Sequence, residues 1–409
     1  MKEEKTMIIE KAEQLVLEQI HRTTAEALPI FRALGLVTSQ DIRAPMDIPH
    51  FSMTTVDGYA IQSLASRRAT PDQPSGLDVI GTIRAGMPTG PAIRANEAVR
   101  IMTGGKLPQG ADAVVMMEDC APSDGRVAVL GAVAPGDNVR EAGSSRKRGE
   151  LVIPKDKTLR AIDAEVLASM GIQEVLVYRR PTAAIIATGD ELIPIADPLS
   201  DGKIIQSNGY LVAALAQEMN AGHSIHPPVK DSPDDIRDAI LKALDDDFIV
   251  ITGGTSRGDH DHVRRVLREM GTLHLDRVAI RPGGSFAFAT IKGKPVFSLP
   301  GNPSACLILF ELFIKPGINK MLGKSRISSE PTRAESLTRF PKSSDLRRYV
   351  GAKVRSLRGR KYVAADGAKA SGTLIPMIGQ NSLAVVYENS TQICPTDTVD
   401  VLVMYPEDI

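Results

Sequence analysis

Three short stretches combine glycine with hydroxyl side chains, two of them with acidic residues close by, at spacings that suit phosphate chemistry. They are Thr188-Gly189-Asp190-Glu191, Thr252-Gly253-Gly254-Thr255-Ser256 and Leu299-Pro300-Gly301-Asn302-Pro303-Ser304. The middle stretch is the most informative. The apolar run Phe248 to Ile251 reads as a buried strand, which stops at Thr252-Gly253-Gly254; from Asp261 to Leu267 the pattern reads as a helix. Strand, glycine loop and helix in that order bring bare backbone N–H groups to a helix N-terminus, which favours an anionic ligand. Asp259 and Asp261 would repel an anion directly but could hold Mg²⁺ against it. A tight turn with an Asp N-cap accounts for the same residues without a ligand.

In an open α/β sheet, ligands sit outside the carboxyl ends of the strands, so three such exits would converge on one cleft. Taken singly, Thr188–Glu191 is a turn and Asn302-Pro303 an N-cap and N1 pair. Two familiar phosphate motifs are missing. No GxGxxG follows a strand, and Gly104-Gly105-Lys106 continues into Leu107 rather than Ser or Thr, so neither a dinucleotide fingerprint nor a P-loop is present. Asp259-His260-Asp261-His262 looks like a metal cluster, but consecutive residues cannot all face one ion. An oxygen-ligand Mg²⁺ site using an Asp suits it better than a transition metal.

The elements that must position these residues alternate over 179–325. Thr182 to Ala187 reads as a strand and Ser207 to Met219 as a helix. Ser232-Pro233 opens another helix, Pro295 to Leu299 is a strand, and Pro303 to Phe313 a helix. The alternation predicts a mostly parallel sheet with helices on both faces. Before it, Ile8 to Ile20 sets Ala12, Leu15, Val16 and Ile20 on one helical face, and Asp163 reads as an N-cap with Gly171 just past the helix end. Residues 47–147 are rich in Gly and Pro with short apolar runs, and read as a small β-rich domain. Residues 326–409 read as a second one. In the first, Thr55-Val56-Asp57-Gly58 places a lone acid in a turn, and Arg100 to Gly105 leads through Pro108 to Gly110-Ala111-Asp112; each alone is hairpin chemistry. In the second, residues 339–361 hold nine Lys or Arg and one Asp, either a solvated face or a wall that steers an anion.

At 409 residues the chain has room for two to four domains. Its 49 basic and 49 acidic residues give zero formal charge, which argues against general nucleic-acid or membrane-surface binding. Cys120, Cys306 and Cys394 lie far apart with no CxxC, which suits a reducing compartment and argues against a zinc or disulfide framework. The start has no apolar signal region and no run reaches a membrane span, so a cytoplasmic protein is expected.

In order and spacing the motifs resemble the molybdopterin molybdotransferase family, which inserts molybdenum into molybdopterin and includes the E domain of gephyrin. The resemblance covers nearly the whole chain. It rests on DGYA at 57–60, RIMTGGKLPQGADAVVMME at 100–118, ATGDEL at 187–192, SNGYLVAAL at 207–215, TGGTSRGDHD at 252–261 and LPGNPSA at 299–305. It implies a multidomain, elongated fold: a first domain from 1–46 and 148–178, an inserted β-rich domain at 47–147, an α/β molybdopterin-binding domain at 179–325, and a C-terminal β domain at 326–409.

The resemblance also implies a homodimer whose cleft draws on both subunits. The substrates would be adenylylated molybdopterin and molybdate, and the products molybdenum–molybdopterin and AMP, with Mg²⁺ required. The adenylyltransferase of the same pathway is the expected partner enzyme. Carried over residue by residue, the functional positions are Asp57, Thr103, Glu191, Asp231, Asp261, Pro300 and Pro303. Thr188, Gly189, Asp190, Gly253, Gly254, Ser256, Arg281, Gly301, Asn302 and Ser304 lie on the substrate side, and Asp57, Glu191 and Asp261 are candidate Mg²⁺ ligands. The dithiolene sulfurs of the substrate would be the soft ligands of molybdenum, so no cysteine cluster is needed.

The sequence departs from the family at three points. Arg281-Pro282-Gly283-Gly284-Ser285 carries one cation where the family has two, Ser144-Ser145 stands where an acidic pair is usual, and Val56 replaces a Met. Two other readings follow. One is a scaffold or tungstate-selective paralogue on the same fold. The other is the sibling adenylyltransferase, which would match the α/β domain alone.

Overall fold

The computed structural model describes residues 6–88, 90–254, 261–342, 345–365 and 373–409. The strands Thr182–Ala187 and Phe248–Thr252 are the centre of a six-stranded sheet. Its order is Gly222–Ile225, Thr182–Ala187, Phe248–Thr252, Lys294–Leu299, Ala287–Ile291, Thr272–Leu275. The first four strands are parallel, and the last two join by antiparallel pairing. The central runs are buried from Ala183 to Ala187 and from Phe248 to Thr252, as expected for strands covered on both faces.

Alternate residues go to opposite sides. Ala183, Ile185, Phe248 and Val250 pack with Val212, Ala213 and Leu307 in one core. Ala184, Ile186, Ile249 and Ile251 pack with Ile236, Ile240, Val263 and Val266 in another. The helices Asn208–Glu218 and Pro303–Leu309 therefore cover one face, while Pro233–Lys242 and His262–Met270 cover the other. The helix expected over 303–313 is α-helical only to Leu309. Phe310–Ile314 then forms a π-turn, and Lys315–Met321 resumes the α-helix.

The N-terminal helix Ile9–Glu18 buries Ile9, Ala12 and Val16. It shares its core with Ile318 and Met321, and Lys320 donates to the Leu17 carbonyl at 2.6 Å. Chain segments far apart in sequence pair next to it: Ala25–Pro29 with Glu174–Tyr178, and Ile42–Arg43 with Leu151–Ile153. Asp163 sits inside the helix Ala161–Ser169 rather than capping it; its carboxylate reaches back to the Arg160 N–H at 2.8 Å, the acidic half of a capping box.

Between these pairs lies a six-stranded β unit of Ala113–Met116, Gly58–Ile61, Glu97–Ile101, Ser75–Ile83, Arg126–Val129 and Cys120–Ser123, with a small core on each face. A last six-stranded sheet holds Arg347–Leu357, Arg360–Ala364, Thr332–Ser336, Thr398–Val403 and Ser382–Val386, and closes by pairing its first and last strands. Its sixth strand, Ile280–Arg281, is lent by the α/β segment. Among the described residues no helix is long and apolar enough to cross a membrane.

Candidate functional site

Four parallel strands bring their exits to one edge of the α/β sheet, and backbone hydrogen bonds lace the exits together. Thr188 N–H donates to the Thr252 carbonyl at 2.9 Å, Gly189 N–H to Val229 at 3.1 Å, and Gly253 N–H to Leu299 at 3.0 Å. Glycine is required where these loops touch. Gly253 has φ +94°, and a Cβ there would lie 2.2 Å from the Thr188 carbonyl oxygen. Gly254 has φ +63°, and its Cβ would meet Val263 Cγ2 at 2.6 Å and Asp231 Oδ1 at 3.2 Å.

Three carboxylates gather at this edge. Thr188 Oγ1 donates to Asp231 Oδ1 at 3.3 Å, and Asp190 Oδ1 accepts the Asp231 N–H at 3.2 Å. Glu191 folds back over Gly189, where a Cβ would stand 2.6 Å from Glu191 Oε2. Ser232 fixes Asp231 from the other side. Its hydroxyl accepts the Asp235 N–H at 3.2 Å and caps the helix Pro233–Lys242, which starts two residues after Asp231.

The Pro300–Ser304 loop closes the edge. Gly301 lies against Gly253, Asn208 Nδ2 donates to the Gly301 carbonyl at 2.8 Å, and the buried Cys306 thiol donates to the Pro300 carbonyl at 3.1 Å. Burial pushes that thiol up to about 12, so it is neutral. The backbone donors expected to face an anion here are already engaged. Asn302 Oδ1 accepts both Ser304 N–H (2.9 Å) and Ala305 N–H (3.3 Å), because Asn302 is the N-cap and Pro303 the first helical residue.

Asp261 is likewise an N-cap. Oδ1 accepts the Arg264 N–H at 3.2 Å, and Oδ2 is ion-paired with the Arg264 guanidinium. Arg264 is buried and also binds Asp276 at 2.7 Å and the Ser285 carbonyl at 2.8 Å. It ties the start of this helix to the 281–285 loop. Ser256 and Asp259 lie outside the described residues, so the expected glycine loop is seen only as far as Gly254.

Two of the expected residues stand apart from this cluster. Asp57 and Thr103 pair with each other in the inserted β unit: Asp57 Oδ1 accepts from Thr103 N–H at 2.7 Å and Thr103 Oγ1 at 2.8 Å. The Thr103 N–H, then its hydroxyl, hold this exposed carboxyl below the usual range. Arg281 sits in the C-terminal sheet, opposite Arg348 in a parallel register. Burial, then the charge of Arg281, lowers the pKa of Arg348. A Cβ on Gly284 would stand 3.2 Å from the Ile280 carbonyl, so a longer side chain would crowd that turn.

Sequence reasoning gave no role to Lys203, Gln206, Asn208, Arg264 or Arg348. Lys203 Nζ donates to the Asp190 carbonyl at 2.6 Å. Gln206 Nε2 and Asn208 Oδ1 are buried without a protein partner among the described residues, so a donor and an acceptor stand uncommitted at the helix start beside Gly301. SNGY at 207–210 was the available signal. Among the described residues no group of three His, Cys, Asp or Glu is arranged to hold a metal alone.

The fold and these loops define a multidomain protein built around an open α/β sheet whose strand exits form a polar cleft. Residues 7–171 match the MoeA N-terminal region (domain I and II), and residues 184–320 match a probable molybdopterin binding domain. The chain is 32% identical over 396 residues to a Staphylococcus aureus (strain COL) molybdopterin molybdenumtransferase, covering 96% of this chain and 94% of that one. It is 33% identical over 372 residues to the Staphylococcus epidermidis (strain ATCC 12228) protein of the same name, covering 90% and 89%. Two solved structures of the molybdopterin biosynthesis MoeA protein from Pyrococcus horikoshii superpose with TM-scores of 0.88 and 0.80. They are 29% and 28% identical and cover 98% of this chain and 99% and 100% of theirs. The chain belongs to the MoeA family of molybdopterin molybdenumtransferases.

Proposed function

We propose that this protein inserts molybdenum into adenylylated molybdopterin, consuming molybdate and releasing AMP. The observation that carries the reading is the convergence of Thr188–Glu191, Asp231, Gly253–Gly254 and Pro300–Ser304 at one sheet edge, in a chain related to named molybdenumtransferases along nearly its whole length. The catalytic set is Asp57, Thr103, Glu191, Asp231 and Asp261. Thr188, Gly189, Asp190, Gly253, Gly254, Ser256, Arg281, Pro300, Gly301, Asn302, Pro303 and Ser304 form the substrate side.

Each described part has a task that its geometry supports. The glycines let backbone approach a ligand closely. Gln206 and Asn208 offer an unpaired donor and acceptor to a polar ring edge. Arg281 and Arg348 supply the paired positive charge that an oxyanion needs. Thr103 keeps Asp57 ionised, ready to bind a cation.

The oxygen-only donor set fits Mg²⁺, which takes one or two carboxylates together with substrate phosphates. Glu191, with Asp190 and Asp231 beside it, is the better seat; Asp57 keeps its Oδ2 for the role, whereas Asp261 spends both oxygens on Arg264. When bound, Mg²⁺ would neutralise the phosphate charge that develops as AMP leaves.

Asp57 and Thr103 bond to each other rather than to the strand-exit loops, so we further propose a homodimer in which these regions meet across subunits. We place the protein in the cytoplasm, consistent with three free cysteines. The four segments 1–46 with 148–178, 47–147, 179–325 and 326–409 are our domain assignment, and the molybdopterin adenylyltransferase is our candidate partner. Release of AMP from adenylylated molybdopterin, with Mg²⁺ and with or without molybdate, tests the function. Release that requires the oxyanion supports it, and no release despite pterin binding contradicts it.

A further inference from the structure

The hairpin formed by Arg347–Leu357 and Arg360–Ala364 ends in a tip that the proposed reaction does not use. The strand from Arg348 to Leu357 is long enough to carry that tip about 30 Å from Arg281. The turn has two residues, Arg358 and Gly359, with Leu357 opposite Arg360. Both turn residues have positive φ, +49° and +77°. Such turns favour Asn-Gly or Asp-Gly, since few side chains tolerate a left-handed backbone. Here the strained position holds an arginine.

The cross-strand register also sorts the flanking residues. Arg355 lies opposite Tyr362 and Leu357 opposite Arg360, so Arg355, Leu357, Arg360 and Tyr362 share one face. Leu357 is 63% exposed, and Arg355, Arg358 and Arg360 are exposed. None of the three arginines has a carboxylate partner among the described residues, although the chain as a whole is charge-balanced at 49 to 49. Exposed arginine beside tyrosine and an apolar side chain is the composition of protein interface anchors. A nucleic-acid strand needs a groove that follows its backbone. This charge is gathered instead at the end of one hairpin, on the turn residue Arg358 and on Arg355 and Arg360 of the strands that flank Leu357.

We propose that the hairpin tip is a docking site for an acidic protein segment that carries apolar side chains between its carboxylates. The arginines pair with the carboxylates, and Leu357 and Tyr362 receive the apolar residues. Arg358 adds a third guanidinium at the tip.

The test uses the full chain and a fluorescent peptide alternating Glu or Asp with Leu, read by anisotropy at low salt. An all-Glu peptide and single-stranded oligo-dT of equal charge serve as controls. Wild type should bind the alternating peptide at least about fivefold tighter than either control, and Leu357→Ser should remove that preference. Arg355→Gln with Arg360→Gln should weaken binding about tenfold. Arg358→Asn should raise the melting temperature, because Asn suits the turn, yet weaken binding. AMP release should be the same in all these variants. No binding by wild type, oligo-dT bound as tightly as the peptide, or an Arg358→Asn protein that binds like wild type would each overturn the proposal. These readouts do not depend on the reaction, so they stand apart from the proposed activity.

Discussion

Arg281 and Arg348 occupy one register position of a parallel strand pair, and neither has a carboxylate partner among the described residues. Two adjacent guanidiniums repel unless an anion lies between them. On the proposed function, Arg348 would supply the second cation missing at Gly284. Arg348→Ala and Arg281→Ala should each raise the molybdate KM about tenfold to hundredfold with a smaller change in kcat, since a charge-assisted hydrogen bond is worth about 1.5–3 kcal/mol. Steady-state kinetics at varied molybdate check this, and an unchanged KM in both variants would remove the pair from the oxyanion site.

Asp57 is held ionised by two donors from Thr103. A carboxyl whose pKa is lowered by folding contributes above its unfolded value and loses that contribution as pH falls through the folded one. Thr103→Val keeps the N–H and removes the hydroxyl, so the Asp57 pKa should move up toward its ordinary value. The acid limb of the pH–rate profile should move up with it. Carboxyl NMR titration of Asp57 reads the first effect directly, and a limb that stays in place would separate Asp57 from turnover.

Gly253→Ala should destabilise the protein by about 1–3 kcal/mol, given its left-handed backbone and a Cβ 2.2 Å from the Thr188 carbonyl. Displacing the loop by about 1 Å should also lower kcat/KM about a hundredfold. Chemical denaturation and AMP release measure the two effects. Full activity in the alanine protein would mean that Gly253 does not set the edge.

Arg264 is buried against Asp261 and Asp276. Arg264→Met leaves Asp261 without its guanidinium and Asp276 with Arg268 alone, and should cost about 3 kcal/mol, the lower end of the range for breaking a buried ion pair. Arg264→Lys should recover part of this, because an ammonium cannot reach both acids and the Ser285 carbonyl. Urea midpoints decide. A Met variant as stable as wild type would show that the acids find other partners.

The α/β core was legible because continuous apolar runs and strand–helix alternation lie on the surface of the sequence. Thr182–Ala187 is a strand at the bounds its apolar run predicts, and Ser232 is the cap that a Ser-Pro pair predicts. Local context defeated other readings. Asp163 looked like a cap but works from inside the helix, and nothing in 303–313 signals a π-turn after Leu309. The convergence of three strand exits followed from topology. What each loop does with its polar groups was legible in part: the capping readings of Asn302 and of an Asp at the 261 helix start are what the structure shows, but the pairing of Asp261 with an arginine three residues on was not read. Arg348 was visible only as part of a basic run, since its place beside Arg281 depends on a strand pairing between distant segments.

The most direct measurement is AMP release from adenylylated molybdopterin by the purified protein with Mg²⁺, comparing molybdate, tungstate and no oxyanion. The account predicts release that requires the oxyanion, with molybdate preferred, and that is lost in Asp57→Ala and Glu191→Ala while both variants keep the wild-type melting temperature. Tight pterin binding with no AMP release under any oxyanion, or wild-type rates in both variants, would contradict it.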